Sequence, residues 1–506
     1  MRNDSPKSQV SERVVLAVTI LGSSMAFIDG TVVNVALPAL QNAFHATIAD
    51  VQWVVESYAL MLAALLLVGG SLGDIFGRRK VYVIGVVVFA AASACCGMAR
   101  NIDMLIWARS LQGLGAALLV PGSLALITAS FPESTRGHAI GTWSGFSAMA
   151  AVIGPVMGGW LIEHSTWRWV FLLNLPLALA IVLLSPGVAE SRDENASHHL
   201  DWAGALLVTL GFGGVTYALI EWPGGVRHGG LVVPAALFGG MALAGFVAVE
   251  HGSRAPMVSL QLFRSRNFAG ANLLTLFLYA SLGGLMFFFP IDLIQIQHYT
   301  ATQAGAAFLP FVAIMFGLSR WAGGLVARYG SRIPLTLGPL VAAGGIALFA
   351  VVPQSGSYWA TFFPAVVVMG LGMTISVAPL TTTVMNAVPE SESGVASGIN
   401  NAVSRSAALL AVAVFGAVLV AVFNQSLDRS LDRLALLPEV RAQVDAARPQ
   451  LAAAHNPNPM VQRAIAESFV SGYRCVIWIA TGLAALSAVT AWLLVEPGAA
   501  ASAKRG

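Results

Sequence analysis

Four charged side chains sit where a charge is hardest to keep, inside runs of otherwise apolar residues: Asp29, Glu56, Arg109 and Asp292. A charge at the centre of a hydrocarbon-spanning helix costs about 2.5–3.5 kcal/mol on insertion scales, so such a residue faces a cavity or a partner of opposite charge. An acid held there is suited to picking up and releasing protons. An arginine stays charged, and as a fixed charge it favours the ionised form of an acid that it approaches. The pattern therefore predicts that Asp29 carries a proton and that Arg109 modulates its release. The competing roles are a structural acid bonded to a neighbouring helix and a structural arginine bonded to backbone carbonyls. Glu56 lies about 10 Å into its helix at 1.5 Å per residue. Asp292 directly follows the run FFFP near the end of another helix. Either could bind a cation or help carry protons, and either reads equally as a solvated group at the outer mouth, a reading that suits Asp292 better. No convergent nucleophile or metal-ligand set accompanies them. His198 and His199 lie beside a charged loop, and Cys95, Cys96 and Cys475 read as small buried hydrophobes. Neither enzyme chemistry nor a cofactor is expected.

These charges need helices to position them. Of 506 residues, 57% are hydrophobic and 10% charged, against about 25% charged in soluble proteins. Such a chain belongs in lipid. Its net charge of +3 is too small for a nucleic-acid footprint. About 20 apolar residues cross the hydrocarbon core as a helix. Fourteen runs qualify: 14–38, 51–73, 81–99, 104–130, 138–162, 168–188, 201–221, 231–250, 268–293, 303–327, 333–352, 358–380, 397–423 and 472–495. Residues 1–13 form a polar tail, and the run after them has no small-residue cleavage site, so it reads as a permanent span. An even count puts both termini on one side. Fifteen Lys and Arg residues fall in the loops and tails of that side, against only Arg100, Arg168 and Arg227 in the short loops of the other. Positive residues stay inside, so both termini, including the tail 496–506, are expected in the cytoplasm.

One outer segment is long, residues 424–471. Leu427, Leu431, Leu434, Leu437, Val440 and Val444 recur in it at three- and four-residue steps. That spacing predicts an amphipathic helix broken near Pro438. Its apolar face could cover the outer mouth, lie on the membrane, or meet a partner. The sequence also repeats itself. GGSLGDIFGRRKV (Gly69 to Val81) follows the second span and GGLVARYGSRI (Gly323 to Ile333) follows the tenth. Aligning Gly70 with Gly323 brings Gly77 onto Gly330 and Arg79 onto Arg332, while Asp74 meets Ala327. An offset of eight spans means six per repeat with two more between. The expected fold is all-α and membrane-integral, with a six-helix bundle at 14–189, two additional helices at 200–250, and a second six-helix bundle at 265–495.

Four motifs then carry a specific resemblance. DGTVVNVALP contributes Asp29, Thr31, Asn34 and Pro38 in the first span. GSLGDIFGRRK contributes Gly70, Gly73, Asp74, Gly77, Arg78 and Arg79. LIWARSLQGLGAA places Arg109 in the fourth span. AAVIGPVMGGW places Gly154, Pro155, Gly158 and Gly159 in the fifth. In this order, and with STWRWVFLLNLP, LGMTISVAPL and SGVASGINNAVSR later in the chain, they resemble the fourteen-span drug:proton antiporters of the major facilitator superfamily, the EmrB/QacA type. Two positions depart from the pattern: Ile75 stands where the family usually has Arg, and Ala150 where it has Gly.

The resemblance implies roles as well as a fold. The loop from Gly70 to Lys80 would gate the cytoplasmic side, and its glycines allow a tight turn. Asp74 would engage the start of a helix in the opposite half, and the region Ser393 to Ser397 is the candidate, because a helix start attracts an anion. Arg109 is implicated in proton transfer. The glycines and proline of the fifth span mark exporters, with Pro155 bending the helix and the glycines permitting close contact. The implied function is proton-driven efflux of lipophilic or cationic small molecules across a bacterial cytoplasmic membrane. A narrow-specificity metabolite or sugar transporter on the same fold is the alternative. A periplasmic adaptor is a candidate partner, because relatives of the EmrB type work with one. Phe287, Phe288, Phe289, Trp53, Trp143 and Trp321 could line an apolar drug site or face lipid.

Overall fold

The computed structural model describes residues 6–192, 201–222, 229–253, 258, 260–351, 357–388, 393–434 and 436–497. It is built of helices, fourteen of them long and apolar enough to cross a membrane. In order these are Glu12–Phe44, Ile48–Phe76, Arg78–Gly97, Ile102–Ser130, His138–His164, Trp169–Gly187, Trp202–Glu221, Gly230–Gly252, Arg266–Ile296, Ala301–Ser319, Arg332–Ala350, Tyr358–Asn386, Val395–Leu434 and Pro459–Leu494. They are called here the first to the fourteenth span.

The packing repeats with the offset that the sequence repeat requires. In the first bundle the first span packs on the fifth, the second on the fourth, and the third on the fourth. In the second bundle the ninth packs on the thirteenth, the tenth on the twelfth, and the eleventh on the twelfth. The two bundles meet where the second span touches the thirteenth and the fifth touches the helix that opens the tenth. The seventh and eighth spans pack on each other, and the seventh also reaches the second and thirteenth. The aligned glycines Gly77 and Gly330 share a backbone state that a side chain would resist, with φ of 111° and 72°. Among the described residues they are the two glycines with positive φ, and each ends one helix before the next begins.

Two spans are longer than their hydropathy. The thirteenth continues as one helix to Leu434, and the fourteenth already begins at Pro459. The segment between helices is therefore much shorter than 424–471. It holds a helix at Pro438–Ala447 and a 3-10 turn at Arg448–Ala453. Leu427, Leu431 and Val444 are buried as the periodicity predicts, but Leu437 is exposed at the break. Arg441 pairs with Asp432 at 2.6 Å, and Arg448 bridges Asp445 and Asp428. The backbone carbonyl of Gln450 accepts a hydrogen bond from Gln41 of the first span at 2.9 Å. The segment is thus pinned to the end of the thirteenth span and, across the bundles, to the first. This face is called the capped end, and the face carrying residues 70–80 the motif end.

Candidate functional site: a buried ion pair behind a central cavity

The first span presents two faces of different character. Phe27, Gly30, Thr31 and Asn34, three and four residues apart, share one face and line the space between the bundles. Asp29 points the other way, into the first bundle, and is fully buried. Its Oδ2 accepts a hydrogen bond from Arg109 Nη1 at 2.5 Å. Its Oδ1 accepts from Gln112 Nε2 at 2.8 Å and from Asn174 Nδ2 at 3.2 Å. Arg109 also donates from Nε to the carbonyl of Val54 at 3.0 Å and from Nη1 to Gln112 Oε1 at 2.7 Å. Its guanidinium lies 4.2 Å from the centre of the Tyr58 ring. Ser93 accepts from Gln112 and Asn174 and donates its own hydroxyl hydrogen bond to the carbonyl of Phe171 at 2.8 Å. Three spans therefore meet at the carboxylate, and two more, the second and third, support its partners. A buried ion pair is tolerated when further hydrogen bonds support its charges, as they do here at both Asp29 oxygens and at Arg109 Nε and Nη1.

Sequence reasoning found Asp29 and Arg109 but missed Gln112, Asn174, Ser93 and Tyr58. Gln112 could have been found from spacing alone, since it stands three residues after Arg109 on the same helix face. Asn174 and Ser93 carried weaker signals, as isolated neutral polar residues in apolar runs.

In front of the pair lies a cavity of about 220 Å³. Its polar lining is Asn34, Glu56, Tyr58, Arg109 and Arg405, and its apolar lining includes Val33, Val55, Met286, Phe287 and Leu409. Arg109 thus faces both the cavity and Asp29. Glu56 is buried, with its Oε2 unpartnered, and Asn34 Oδ1 is unpartnered as well. A second space of about 210 Å³, lined by Phe27, Thr31 and Val120, shares Gly30, Tyr58, Leu62 and Arg405 with the first.

Asp292 is not in this lining. It is 3% exposed and opens a single π-helical turn, Asp292–Ile296, in the second bundle. The reading of Asp292 as a solvated group at the mouth is therefore corrected: the ninth span continues past it and packs around it. Of the aromatic residues, Phe287 reaches the cavity, whereas Phe288 and Phe289 are core. Trp53 donates to Glu221 at 3.2 Å, Trp143 to Ser23 at 2.9 Å, and Trp321 is exposed.

At the motif end, Asp74 has no partner from the opposite bundle among the described residues. Arg78, four residues on and across the Gly77 break, donates to it at 2.8 Å. The region 389–392 before the thirteenth span, and the side chain of Ser393, lie outside the described residues. An anion does sit at a helix start in this loop, but it is Glu190, from the end of the sixth span. Its carboxylate accepts from the backbone N–H groups of Arg79 and Lys80 at 3.0 and 3.2 Å, where the third span begins. Arg79 donates to the carbonyl of Val188 at 2.9 Å. A Cβ at Gly77 would lie 2.8 Å from the Glu190 carboxylate and would have to displace it, in addition to the strain of the positive φ. Gly73 accepts the N–H of Gly77, and Gly70 lies against Pro121.

The fifth-span motif works at the other end. A Cβ at Gly154 would meet Thr31 Oγ1 at 2.5 Å, and one at Gly158 would overlap Val32, so both glycines seat the fifth span on the first. Gly159 faces the second bundle instead, where a Cβ would lie 2.6 Å from Thr302 Cα. The Pro155 carbonyl lies against Gly305. One turn on from Gly159, Glu163 accepts the N–H of Thr302 at 2.7 Å. Gln52 donates to the carbonyl of Val412 at 2.9 Å, and Gln295 to Gln41 at 2.9 Å. With the bond from Gln41 to Gln450, these contacts draw the bundles together at the capped end. Pro38 is buried within the first span as it approaches that end.

The Major Facilitator Superfamily profile matches residues 19–412. The chain belongs to the major facilitator superfamily. It is 34% identical over 400 residues to Multidrug resistance protein Stp of Mycobacterium tuberculosis, covering 78% of this chain and 73% of that one. It is 31% identical over 495 residues to Puromycin resistance protein pur8 of Streptomyces alboniger, covering 97% of this chain and 93% of that one. The fold resembles a bacterial homolog of the human lysosomal transporter Spinster, in an inward-facing and unoccupied conformation, with a TM-score of 0.67 at 17% identity over 96% of this chain and 98% of that one. This major facilitator chain is accordingly a multi-pass membrane transporter rather than an enzyme.

Proposed function

We propose that this chain is a secondary active exporter that expels lipophilic or cationic small molecules from the bacterial cytoplasm in exchange for protons. The observation that carries the reading is the double position of Arg109, which lines the central cavity and holds the buried Asp29. A ligand entering the cavity changes the surroundings of the guanidinium, and through it the charge balance at Asp29. Protonation of Asp29 weakens the same pair from the other side. Each state then favours a different arrangement of the first, second and fourth spans. The proton gradient supplies the energy, about 2.3 kcal/mol per charge and 100 mV, plus the chemical gradient, and no cofactor is needed. Glu56, in the cavity, is a second candidate for proton exchange.

The excess of Lys and Arg assigns the motif end, and with it both termini, to the cytoplasm. The bundles are then joined at the outer face and the gate acid Asp74 rests on its own loop, which suits a state open to the cytoplasm. Outward opening would separate Gly159 from Thr302 and Glu163 from its backbone partner. A periplasmic adaptor, if the chain uses one, would meet it at the capped end. The largely apolar cavity wall favours drug-like molecules over a sugar. The relatives named for multidrug and puromycin resistance point to the same substrate class.

The test is export by proteoliposomes holding the purified chain, with ethidium as probe and an imposed pH gradient. Export that collapses when a protonophore dissipates the gradient supports antiport. Export that persists without the gradient rules it out.

A further inference from the structure

The central cavity is lined by an acid and a base that the Asp29–Arg109 pair does not engage. Glu56, from the second span, is 1% exposed and has no hydrogen-bond or ion-pair partner among the described residues. Arg405, from the thirteenth span, lines the same cavity and the space next to it, again without a hydrogen bond or ion pair to the protein among the described residues. The two do not pair with each other. Their relative height follows from the helix register. Gln52 bonds to the Val412 carbonyl, and a Cβ at Gly398 would lie 3.2 Å from Leu67, so the second and thirteenth spans run antiparallel. Glu56 is then level with Ala408, and Arg405 lies three residues, or about 4.5 Å, nearer the motif end. Between and around them the wall is apolar, with Val33, Val55, Leu62, Met286 and Phe287.

In such low-dielectric surroundings an uncompensated charge is unfavourable, and a ligand that brings the missing counter-charge is bound selectively. A monocation can answer Glu56 but then faces Arg405 and leaves it bare. A monoanion has the converse difficulty. A ligand with both charges on an apolar body answers both residues at once. We propose that the cavity is a site for amphoteric molecules, with an ammonium group held by Glu56 and Asn34 and a carboxylate or similar anion held by Arg405. The ammonium lies toward the capped end and the anion toward the motif end. This rests on the reading of the cavity as the transport site, and it makes Arg405 a specificity-determining residue.

The test is calorimetric binding to the purified full chain in lipid nanodiscs, with three probes that share one apolar body: 2-naphthylalanine, its methyl ester, and its N-acetyl derivative. They present both charges, the cation alone and the anion alone. Wild type should bind the amino acid at least about tenfold more tightly than either derivative, the worth of one charge-assisted contact. Arg405→Gln should bring the amino acid down to the level of its ester, Arg405→Lys should keep the preference, and Glu56→Gln should bring it down to the level of the N-acetyl compound. Thermal melting confirms that each variant is folded. Equal or tighter binding of the ester by wild type, an unchanged preference in Arg405→Gln, or no binding of any probe by folded wild type overturns the proposal. Ethidium export by the same preparations separates the two readings. Export without the preference removes only the amphoteric site, and the preference without export removes only the exporter.

Discussion

The pairing of Asp29 with Arg109 can be measured as a coupling energy. Asp29→Asn keeps the shape of the side chain and removes its charge. The guanidinium, 1% exposed, then keeps the Val54 carbonyl, Gln112 Oε1 and the Tyr58 ring but loses its counter-ion. Removing one member of a buried pair costs about 3–5 kcal/mol, and those remaining contacts make that an upper bound here. Arg109→Gln leaves the reciprocal problem, a carboxylate supported only by Gln112 and Asn174. Each single variant therefore carries the penalty of an orphaned charge, and the double variant carries neither. Two unit charges about 4 Å apart interact by about 4 kcal/mol at an effective dielectric of 20. A coupling of about 2 kcal/mol or more is expected, with the double variant more stable than the sum of the singles. The assay is unfolding of the purified chain in mixed micelles, followed by tryptophan fluorescence, for wild type, both singles and the double. Additivity within about 0.5 kcal/mol would falsify the pairing and with it the means by which the cavity reaches Asp29. The Asn variant also mimics the protonated acid, so a transport cycle that protonates Asp29 requires it to fold.

Three further outcomes follow from the geometry. Gly159→Leu drives a side chain into Thr302, so the capped end should fail to close. Amide exchange at residues 301–306 should rise and ethidium export should fall, and unchanged exchange would remove Gly159 from the seam. Glu190→Gln takes the charge from the start of the third span and should destabilise the chain by about 0.5–1 kcal/mol, read as a lower melting temperature. An unaltered melt would show that the interaction is inert. Asp292→Asn lies away from the cavity and should still export ethidium, whereas loss of export at normal expression would put Asp292 in the coupling path.

The spans were legible because a helix crossing lipid must satisfy its backbone internally and stay apolar for about 20 residues. The ends of the thirteenth and fourteenth spans were not, because beyond the hydrocarbon a helix continues without a hydropathic signal. Leu427 and Leu431 gave the correct buried face there, but read as loop they were assigned to the wrong side of the boundary. Asp29 and Arg109 stood out because charges are rare in such helices. Their neutral partners did not, since an Asn or Ser in a membrane helix has many uses. The motif suggests an acid at a helix start, but as Asp74 at the start of the thirteenth span; the start of the third span, where Glu190 sits, carries no such signal in the sequence. The four-residue spacing of Asp74 and Arg78 already offered a local partner, and Glu190, more than a hundred residues away, could be matched to the third span only in three dimensions.

The most direct measurement is proton release on ligand binding. Purified chain in weakly buffered detergent near neutral pH, with a pH-sensitive dye, is mixed with ethidium. The wild-type population in which Asp29 is protonated and parted from Arg109 should release protons in proportion to bound ethidium, and Asp29→Asn, folded and still binding, should release none. Equal release from both proteins would contradict the assignment of the coupling proton to Asp29.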